Sequence, residues 1–499
     1  MGIPFMSIVW GTALAKCLAE LALVLAIPSH PDWSNVRVTG VCEDTRWLVP
    51  GDLFVAIPGH RRDGCEFVDD AIEHGAVAVL AEHAFSASVP VLVTSSARTA
   101  LAQLAAAFYD HPTSELFTVG VTGTNGKTTV CHWIADILGR SHSSVLSTVR
   151  TPVLGFAGLT TPPSPVIQSL ARDAVVAKMR HLIVEASSAG IEQDRVGSID
   201  FDACVFTNLS LEHVRHHGGL AAYRKAKLKL FETLKPEAWA IVNADDPMAE
   251  TIVAGTNAQI LRYGCEGNVD ARASDIVLGK RNSQFSVSLR GHRTMSVRLP
   301  VPGRHNISNA LAALSVGEIV GIAPSTMLDR LTHVLPIPGR SIFFRRVDGL
   351  SAVVDFAHNG ASLEALLSTL RPNWARIIVV FGCPGDGETE KRVSMGRASA
   401  RWADRIILTA DNPKRERAAA IAEEIQTGIG NARIPVCIVQ DRMQAIDIAI
   451  EQAEAGDLIV LAGKGHEDEQ LVNEERLPHS DSDALKARGF APDDGAAER

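Results

Sequence analysis

The sequence is short of several things, and each shortage narrows the possibilities. It has eight cysteines, at positions 17, 42, 65, 131, 204, 265, 383 and 437, and no two form a C-x-x-C pair. This is the pattern of buried or free thiols in a reducing compartment, not of a disulfide framework. Basic charge is not in excess: the formal net charge is -9, which argues against general nucleic-acid affinity and against a cationic membrane-binding face. No long apolar run occurs either. Near the N-terminus, "LAKCLAELALVLAIP" is broken by Lys16 and Glu20, and its uninterrupted part, Leu21 to Ile27, falls far short of the roughly 20 residues of a membrane span. It reads as an amphipathic helix, and the chain as a cytoplasmic protein. No long internal repeat and no low-complexity segment is present.

What remains is ordinary globular material, 46% hydrophobic and 21% charged over 499 residues, enough for several cores. Three regions separate by pattern, with expected boundaries at 1–112, 113–340 and 341–499. In the first, short apolar strands ("DLFVAIPG", "AVAVLAE", "VPVLVT") alternate with helical stretches. The second repeats that rhythm through "LFTVGV", "SSVLST", "HLIVEA", "FDACVFTNL" and "WAIVNADD", which suggests a parallel sheet covered on both faces. Its later part, "ASDIVLGKRNSQFSVSLRGHRTMSVRLPVPG", alternates apolar and polar residues as an antiparallel meander would. The third region, with "SAVVDFA", "RIIVVFG", "RIILTA", "IPVCIVQ" and "DLIVLAG", reads as a doubly wound α/β sheet. The tail "APDDGAAER" is expected to fray.

The most chemical stretch is "VGVTGTNGKTTV", residues 119–130. An apolar strand runs into Gly123-Thr124-Asn125-Gly126, then Lys127, Thr128 and Thr129. Glycines let backbone N–H groups converge on phosphate oxygens. Lys127 would place a point charge on the outer phosphates, Thr128 would hold Mg²⁺, and the following helix would aim its positive end at the anion. The first glycine of the strict P-loop pattern is missing, since Val121 stands in its place. An empty Gly-rich turn is the bland alternative, disfavoured by strand, glycines, Lys-Thr-Thr and helix together.

The string T-G-T-N-G-K-T resembles the Mur ligase superfamily, which includes the folylpolyglutamate synthetases. That resemblance implies three α/β domains: an N-terminal uridine-nucleotide domain, a central P-loop ATPase domain and a C-terminal Rossmann-like domain. It implies ATP-dependent amide formation, in which a carboxylate becomes an acyl phosphate and an amine displaces phosphate. Further motifs are similar to the branch that adds the third residue of the muramoyl-peptide. "GDLFVAIPGHRRDG" looks like its N-terminal domain, where Thr45 is implied to contact substrate. "TTPPSP" and "VEASSAGIEQDRV" imply substrate contacts at Thr160, Thr161, Ser187 and Arg195, and a Mg²⁺ ligand at Glu185. "LEHVRHHGGLAAYRKAKLKLF" implies a metal-associated and catalytic His213 and a carbamylated, metal-bridging Lys227. "GRHNISNALAAL" implies adenine contacts at Asn306 and Asn309. "IPGR" and "VDFAH" imply nucleotide or hinge contacts at Arg340 and Asp355 and a substrate contact at His358.

In the third region, "TADNPKRE" and "LAGKGHEDEQ" imply an amino-acid site of Asp411, Asn412, Lys414, Gly463 and Glu467. A carboxylate such as Glu467 suits an ammonium partner, so a diamino acid is implied. Lys414 stands where enzymes using meso-diaminopimelate carry arginine; its charge favours that substrate over L-lysine, but it lacks the two-pronged guanidinium. The implied acceptor is UDP-N-acetylmuramoyl-L-alanyl-D-glutamate, with ATP and Mg²⁺ as cofactors, no nucleic-acid or membrane partner, and a monomeric state. Three other departures, Ala189, Arg215 and Gly360, keep two alternatives open. One is a paralogue acting on a different carboxylate; the other is an inactive nucleotide-binding regulator.

Overall fold

The computed structural model describes residues 14–59, 62–149, 159–210, 219–387 and 389–493. The first region forms a four-stranded sheet, all parallel and in chain order: Gly40–Cys42, Asp52–Val55, Ala78–Ala81 and Val91–Val93. The helix Ala97–Phe108 covers it, with Leu101, Leu104 and Phe108 packed into the same core as Leu53, Val55 and Leu80. The N-terminal amphipathic helix is present but short, Leu18–Val24, with Leu18, Leu21 and Ala22 buried and Leu23 exposed. No helix among the described residues is long and apolar enough to cross a membrane.

The second region is built on nine strands. Phe117–Thr122 lies in the interior, between His181–Glu185 and Ala203–Phe206, and pairs in parallel with both. Such strands are buried on both faces and read as continuous apolar runs, which is how the sequence exposed them. The expected meander is found: Ala271–Leu278, Ser283–Ser288 and Met295–Leu299 pair antiparallel at one edge. The helix Arg304–Val320 then packs back beside the helix Lys127–Leu138, joining Leu311, Leu314 and Ile134 in one core.

In the third region five parallel strands, Val436–Ile438, Arg405–Leu408, Ile377–Phe381, Leu458–Ala462 and Ser351–Asp355, are extended by antiparallel Ile342–Arg346 and Phe490–Pro492. The last strand corrects the expectation that the tail frays from Ala491 onward. Ala491 and Pro492 continue the sheet, and Asp493 meets Arg281 in an ion pair with the second region. In open parallel sheets ligands gather beyond the carboxyl ends of the strands. Those ends carry the loops after Thr122, Glu185, Asp355, Leu408 and Ala462.

Candidate active site

Parallel pairing places the ends of two strands side by side. Val121 is in register with Glu185, so the phosphate-type loop and the Glu185 carboxylate emerge together. The loop turns through Gly123 at φ +146° and Gly126 at φ +85°. Both positions also lack room. A Cβ on Gly123 would lie 1.9 Å from Thr207 Oγ1, and one on Gly126 would lie 2.4 Å from Asn309 Oδ1. The helix Lys127–Leu138 starts at once, with Gly126 as its N-cap, so its free N–H groups face the loop. Lys127 Nζ donates to the Thr124 carbonyl at 2.8 Å, curling over the loop. Asn125 is held by Asn208, which accepts from its N–H at 3.0 Å and donates to its carbonyl at 3.0 Å.

Glu185 is buried, and its carboxylate collects neutral donors. Thr128 Oγ1 donates at 3.0 Å, Thr148 N at 2.9 Å and Thr148 Oγ1 at 3.1 Å. Thr148 Oγ1 also reaches Thr160 Oγ1, at 3.2 Å. Thr161 and Ser187 form a second cluster: Thr161 Oγ1 donates to the Glu185 carbonyl at 2.7 Å and lies 3.0 Å from Ser187 Oγ. Arg195 donates to the Thr161 carbonyl at 2.6 Å, and burial lowers the pKa of its guanidinium. Thr45 lies apart from this cluster, in the turn after Gly40–Cys42.

Lys227, on the helix Leu220–Glu232, is buried behind the loop. Its ammonium donates to the Gly123 carbonyl at 2.8 Å and sits 4.8 Å from the Tyr223 ring centroid; the Tyr223 hydroxyl is 3.0 Å from Thr124 Oγ1. His213, and with it Arg215, lies outside the described residues. Among the described residues no group of three or more His, Cys, Asp and Glu side chains could hold a metal. Thr128 Oγ1 and Glu185 are nevertheless adjacent oxygen donors. They suit Mg²⁺, which keeps waters and takes phosphate oxygens instead of demanding an all-protein cage.

The third region, through Asn359, and Arg340, the last residue of the second, close over this loop. Asn359 Nδ2 donates to Asn125 Oδ1 at 2.9 Å, and Arg340 Nη2 donates to Thr128 Oγ1 at 3.1 Å. Arg340 stacks 4.6 Å from the Phe356 ring, which also neighbours His358 at 4.6 Å and His466 at 5.0 Å between centroids. Burial and the Arg340 charge push His466 down to about 4, so it is neutral at neutral pH. Asp355 fixes the turn by accepting from Ser341 N at 2.7 Å and Ala357 N at 2.8 Å. His358 Nδ1 contacts the Phe356 carbonyl at 2.8 Å. The change to Gly360 has a visible reason. A Cβ there would lie 2.6 Å from Ser394 Cβ and 3.0 Å from the Ser394 carbonyl carbon, so only glycine fits against that helix. Ala189 lies half-buried in the helix Ser188–Glu192; nothing in the structure explains the change.

Around the strand ends of the third region, Asn412 Nδ2 donates to Glu467 Oε2 at 2.9 Å, and Lys464 Nζ donates to Glu467 Oε2 at 2.7 Å and to Asn412 Oδ1 at 2.9 Å. Asp411 is buried beside them; burial raises its carboxyl pKa and the Lys464 charge opposes the rise. Gly463 turns at φ +104°, where a Cβ would sit 2.7 Å from Asp411 Oδ2. Lys414 is half-buried with φ +52°; its N–H donates to Leu471 at 3.0 Å and its carbonyl accepts from Asn473 at 2.7 Å. Arg415, next to it, is exposed and pairs with Asp386 at 3.2 Å.

One cavity of about 1790 Å³ joins the two ends. Its walls include Thr124 to Thr129, Thr148, Thr160, Glu185, Asn306, Asn309, Arg340, Asp355, His358, Asn412 and Glu467. Lys227, Thr45, Thr161, Ser187, Arg195, Asp411, Lys414 and Gly463 are not among the residues that line it. Asn306 is tied to the Pro302 carbonyl at 2.8 Å, and Asn309 packs against Gly126. Several of these residues carried no signal of their own in the sequence. Thr148, Asn208, Asn359 and Lys464 are common residues whose partners are distant in the chain. Lys464, Asn208 and Thr148 lay inside quoted stretches, "LAGKGHEDEQ", "FDACVFTNL" and "SSVLST", and Asn359 just past "VDFAH", but none was picked out as a residue.

Comparison with known proteins agrees with this architecture. Residues 37–109 match the model of the Mur ligase family catalytic domain, 121–317 the Mur ligase middle domain, and 339–465 the glutamate ligase domain of Mur ligases. A protein of Chlorobaculum tepidum named UDP-N-acetylmuramoyl-L-alanyl-D-glutamate–2,6-diaminopimelate ligase is 38% identical over 502 residues, covering 96% of this chain and 97% of its own. A solved structure of a ligase with that same name superposes with a TM-score of 0.65 at 28% identity, over 95% of this chain and 98% of that one. A MurF ligase from Thermotoga maritima, solved in complex with ADP, shares the fold, with a TM-score of 0.63 at 20% identity over 86% and 94%. The phosphate-type loop, the three sheets and the match along nearly the whole chain converge: this protein belongs to the Mur ligase family.

Proposed function

We propose that the chain is an ATP-dependent amide ligase that adds 2,6-diaminopimelate to UDP-N-acetylmuramoyl-L-alanyl-D-glutamate in peptidoglycan precursor synthesis. The observation that carries this reading is the single cavity, with the Gly123–Thr129 loop at one end and Glu467 with Asn412 at the other. Relatives similar along nearly all of their length bear the name of that activity. The domains that go with this reading are 1–112, 113–340 and 341–499, supported by the sheets that span Gly40–Val93, Phe117–Leu299 and Ile342–Pro492.

The chemistry follows from the loop outward. ATP phosphates sit against the N–H groups at the start of the helix Lys127–Leu138, with Lys127 on the outer phosphates. Asn306, Asn309, Arg340 and Asp355, which line the cavity, would contact the nucleotide or act as its hinge. Thr128 and Glu185 would hold Mg²⁺, which screens phosphate charge when bound. An acceptor carboxylate oxygen attacks the γ-phosphorus and ADP leaves. The amine of the incoming amino acid then attacks the acyl carbon, phosphate leaves, and the nitrogen loses a proton. Thr160, Thr161, Ser187 and Arg195 flank the acceptor, and Thr45 its nucleotide end. Arg340, at the boundary of the second region, and Asn359, from the third, tie the amino-acid platform to the phosphate loop.

Lys227 is the residue to be carbamylated by CO₂, with His213 as a further metal neighbour; ¹³C-bicarbonate labelling of the active enzyme checks this. Work on a nucleotide-linked precursor fits a monomeric, cytoplasmic protein. Glu467 takes the distal ammonium of the diamino acid, and Lys414 supplies charge for its second carboxylate. The test is phosphate release with the muramoyl-dipeptide and 2,6-diaminopimelate, L-lysine or L-ornithine. Diaminopimelate should have the lowest KM. Lys414→Ala should raise that KM by about 10-fold, and Lys414→Arg should preserve or lower it. An unchanged KM in Lys414→Ala removes the carboxylate role.

A further inference from the structure

The Glu467 carboxylate presents its two oxygens unequally. Oε2 already accepts two hydrogen bonds, from Lys464 Nζ at 2.7 Å and Asn412 Nδ2 at 2.9 Å. A carboxylate oxygen has two lone-pair directions, so Oε2 is saturated. Among the described residues no hydrogen bond falls on Oε1, and Glu467 lines the cavity. The clamp is itself fixed. Lys464 is fully buried, and its three donor directions go to Glu467 Oε2, Asn412 Oδ1 and the Glu469 carbonyl. Asn412 Oδ1 also accepts from Leu471 N at 2.9 Å, which ties the hairpin Glu469–Val472/Glu475–Pro478 to the same point. Two carboxylates, Asp411 and Glu467, surround this one ammonium, so the platform keeps negative charge for a cationic guest.

We infer that Lys464 is a specificity-determining positioning residue: together with Asn412 it takes Oε2 out of play, leaving Glu467 a one-oxygen acceptor that admits a primary ammonium and rejects a guanidinium. An ammonium is a compact point charge with three rotatable donors, and one oxygen serves it. A guanidinium is a planar fork whose favoured carboxylate geometry uses both oxygens. Nothing at the rim is needed for this discrimination. It follows from which oxygen is already occupied. The inference rests on the amide-ligase reading above and narrows its substrate to amino acids with a second, primary amine.

The test compares 2,6-diaminopimelate as substrate with its monoguanidino derivative as competitive inhibitor, in the wild type and in Lys464→Met. In the wild type the inhibition constant should exceed the diaminopimelate KM by about 10-fold or more, since a two-oxygen contact is unavailable. In Lys464→Met that ratio should shrink to within about 3-fold, with the KM for ATP unchanged, because Oε2 is released to accept the second prong. Asn412→Ala removes the other donor and should shift the ratio the same way, which covers the case in which Lys464→Met does not fold. A ratio that stays at the wild-type value in the folded variants overturns the inference while leaving the ligase reading intact. A wild type that releases no phosphate in response to any diamino acid overturns the ligase reading itself, and the inference with it.

Discussion

The phosphate loop and the amino-acid platform line one cavity, and they differ in the balance of dipoles and charges that they present. At the loop the protein supplies glycines, threonine hydroxyls, asparagine amides and backbone N–H groups. Lys127 folds over it, and Glu185 is held by neutral donors. At the platform the protein supplies fixed charge: buried Asp411 and Lys464 and half-buried Glu467, with the buried Arg442–Asp481 pair nearby. A loop that must receive a highly charged anion is best built of dipoles that need no partner of their own. A pocket that must read the identity of one small amino acid is better served by fixed charges whose partners are already assigned.

The largest expected effect tests the loop side. Lys127→Ala removes a charge-assisted phosphate contact and should lower turnover by about 10³-fold with the fold intact, as phosphate-release kinetics would show beside a thermal melt. Full activity in a folded variant would show that the loop does not work as a phosphate cradle.

Next in size is a purely structural effect on the platform side. Arg442 and Asp481 are both buried, with Nη2 to Oδ2 at 2.6 Å; Arg442 also donates to the Ala462 carbonyl at 3.0 Å, just before Gly463. Asp481→Ala strands the guanidinium and should cost about 3–5 kcal/mol in denaturant unfolding. Burial alone would push the Asp481 carboxyl up, but the Arg442 charge and hydrogen bonds, with His479, hold it well below the usual carboxylate range. The sign follows. The stabilisation is complete above the unfolded value of about 3.9 and is lost only as pH falls below it. Wild type and Asp481→Ala should therefore differ fully at pH 6 and progressively less below about pH 4.

The smallest effect concerns a buried acid with no cation paired to it among the described residues. Asp52, at the start of a strand in the first sheet, accepts from Val49 N at 3.0 Å, and burial raises it to about 6. Here the folded state binds the proton more tightly than the unfolded chain, so stability falls as pH rises from about 4 to about 6. Asp52→Asn should stabilise by about 2 kcal/mol at pH 7 and by little at pH 4. Equal effects at both pH values would break the contrast between paired and unpaired buried carboxylates.

The same contrast decides what could be read from sequence. The loop was legible because its parts are neighbours: strand, glycines, Lys127, Thr128 and helix follow one another. The parallel strands were legible as apolar runs, and the meander as alternation. The platform was legible only as motifs. Its hydrogen bonds link Asn412 to Lys464, 52 residues on, and Arg442 to Asp481, 39 residues on. Neither lysine nor arginine announces burial by its type. The hairpin that begins at Glu469 was hidden because its strands are short, the first half-buried and the second exposed, with no buried apolar face to give a period. Lys227 could be singled out by resemblance alone, since its helix is rich in lysine and arginine.

The most direct measurement is a single assay of the purified protein with ATP, Mg²⁺, UDP-N-acetylmuramoyl-L-alanyl-D-glutamate and 2,6-diaminopimelate, following phosphate release and the mass of the nucleotide product together. The account predicts one phosphate and one ADP for each UDP-linked tripeptide formed, with no sustained phosphate release when the amino acid is left out. Phosphate release that ignores the amino acid, or a nucleotide product that gains no residue, would contradict it.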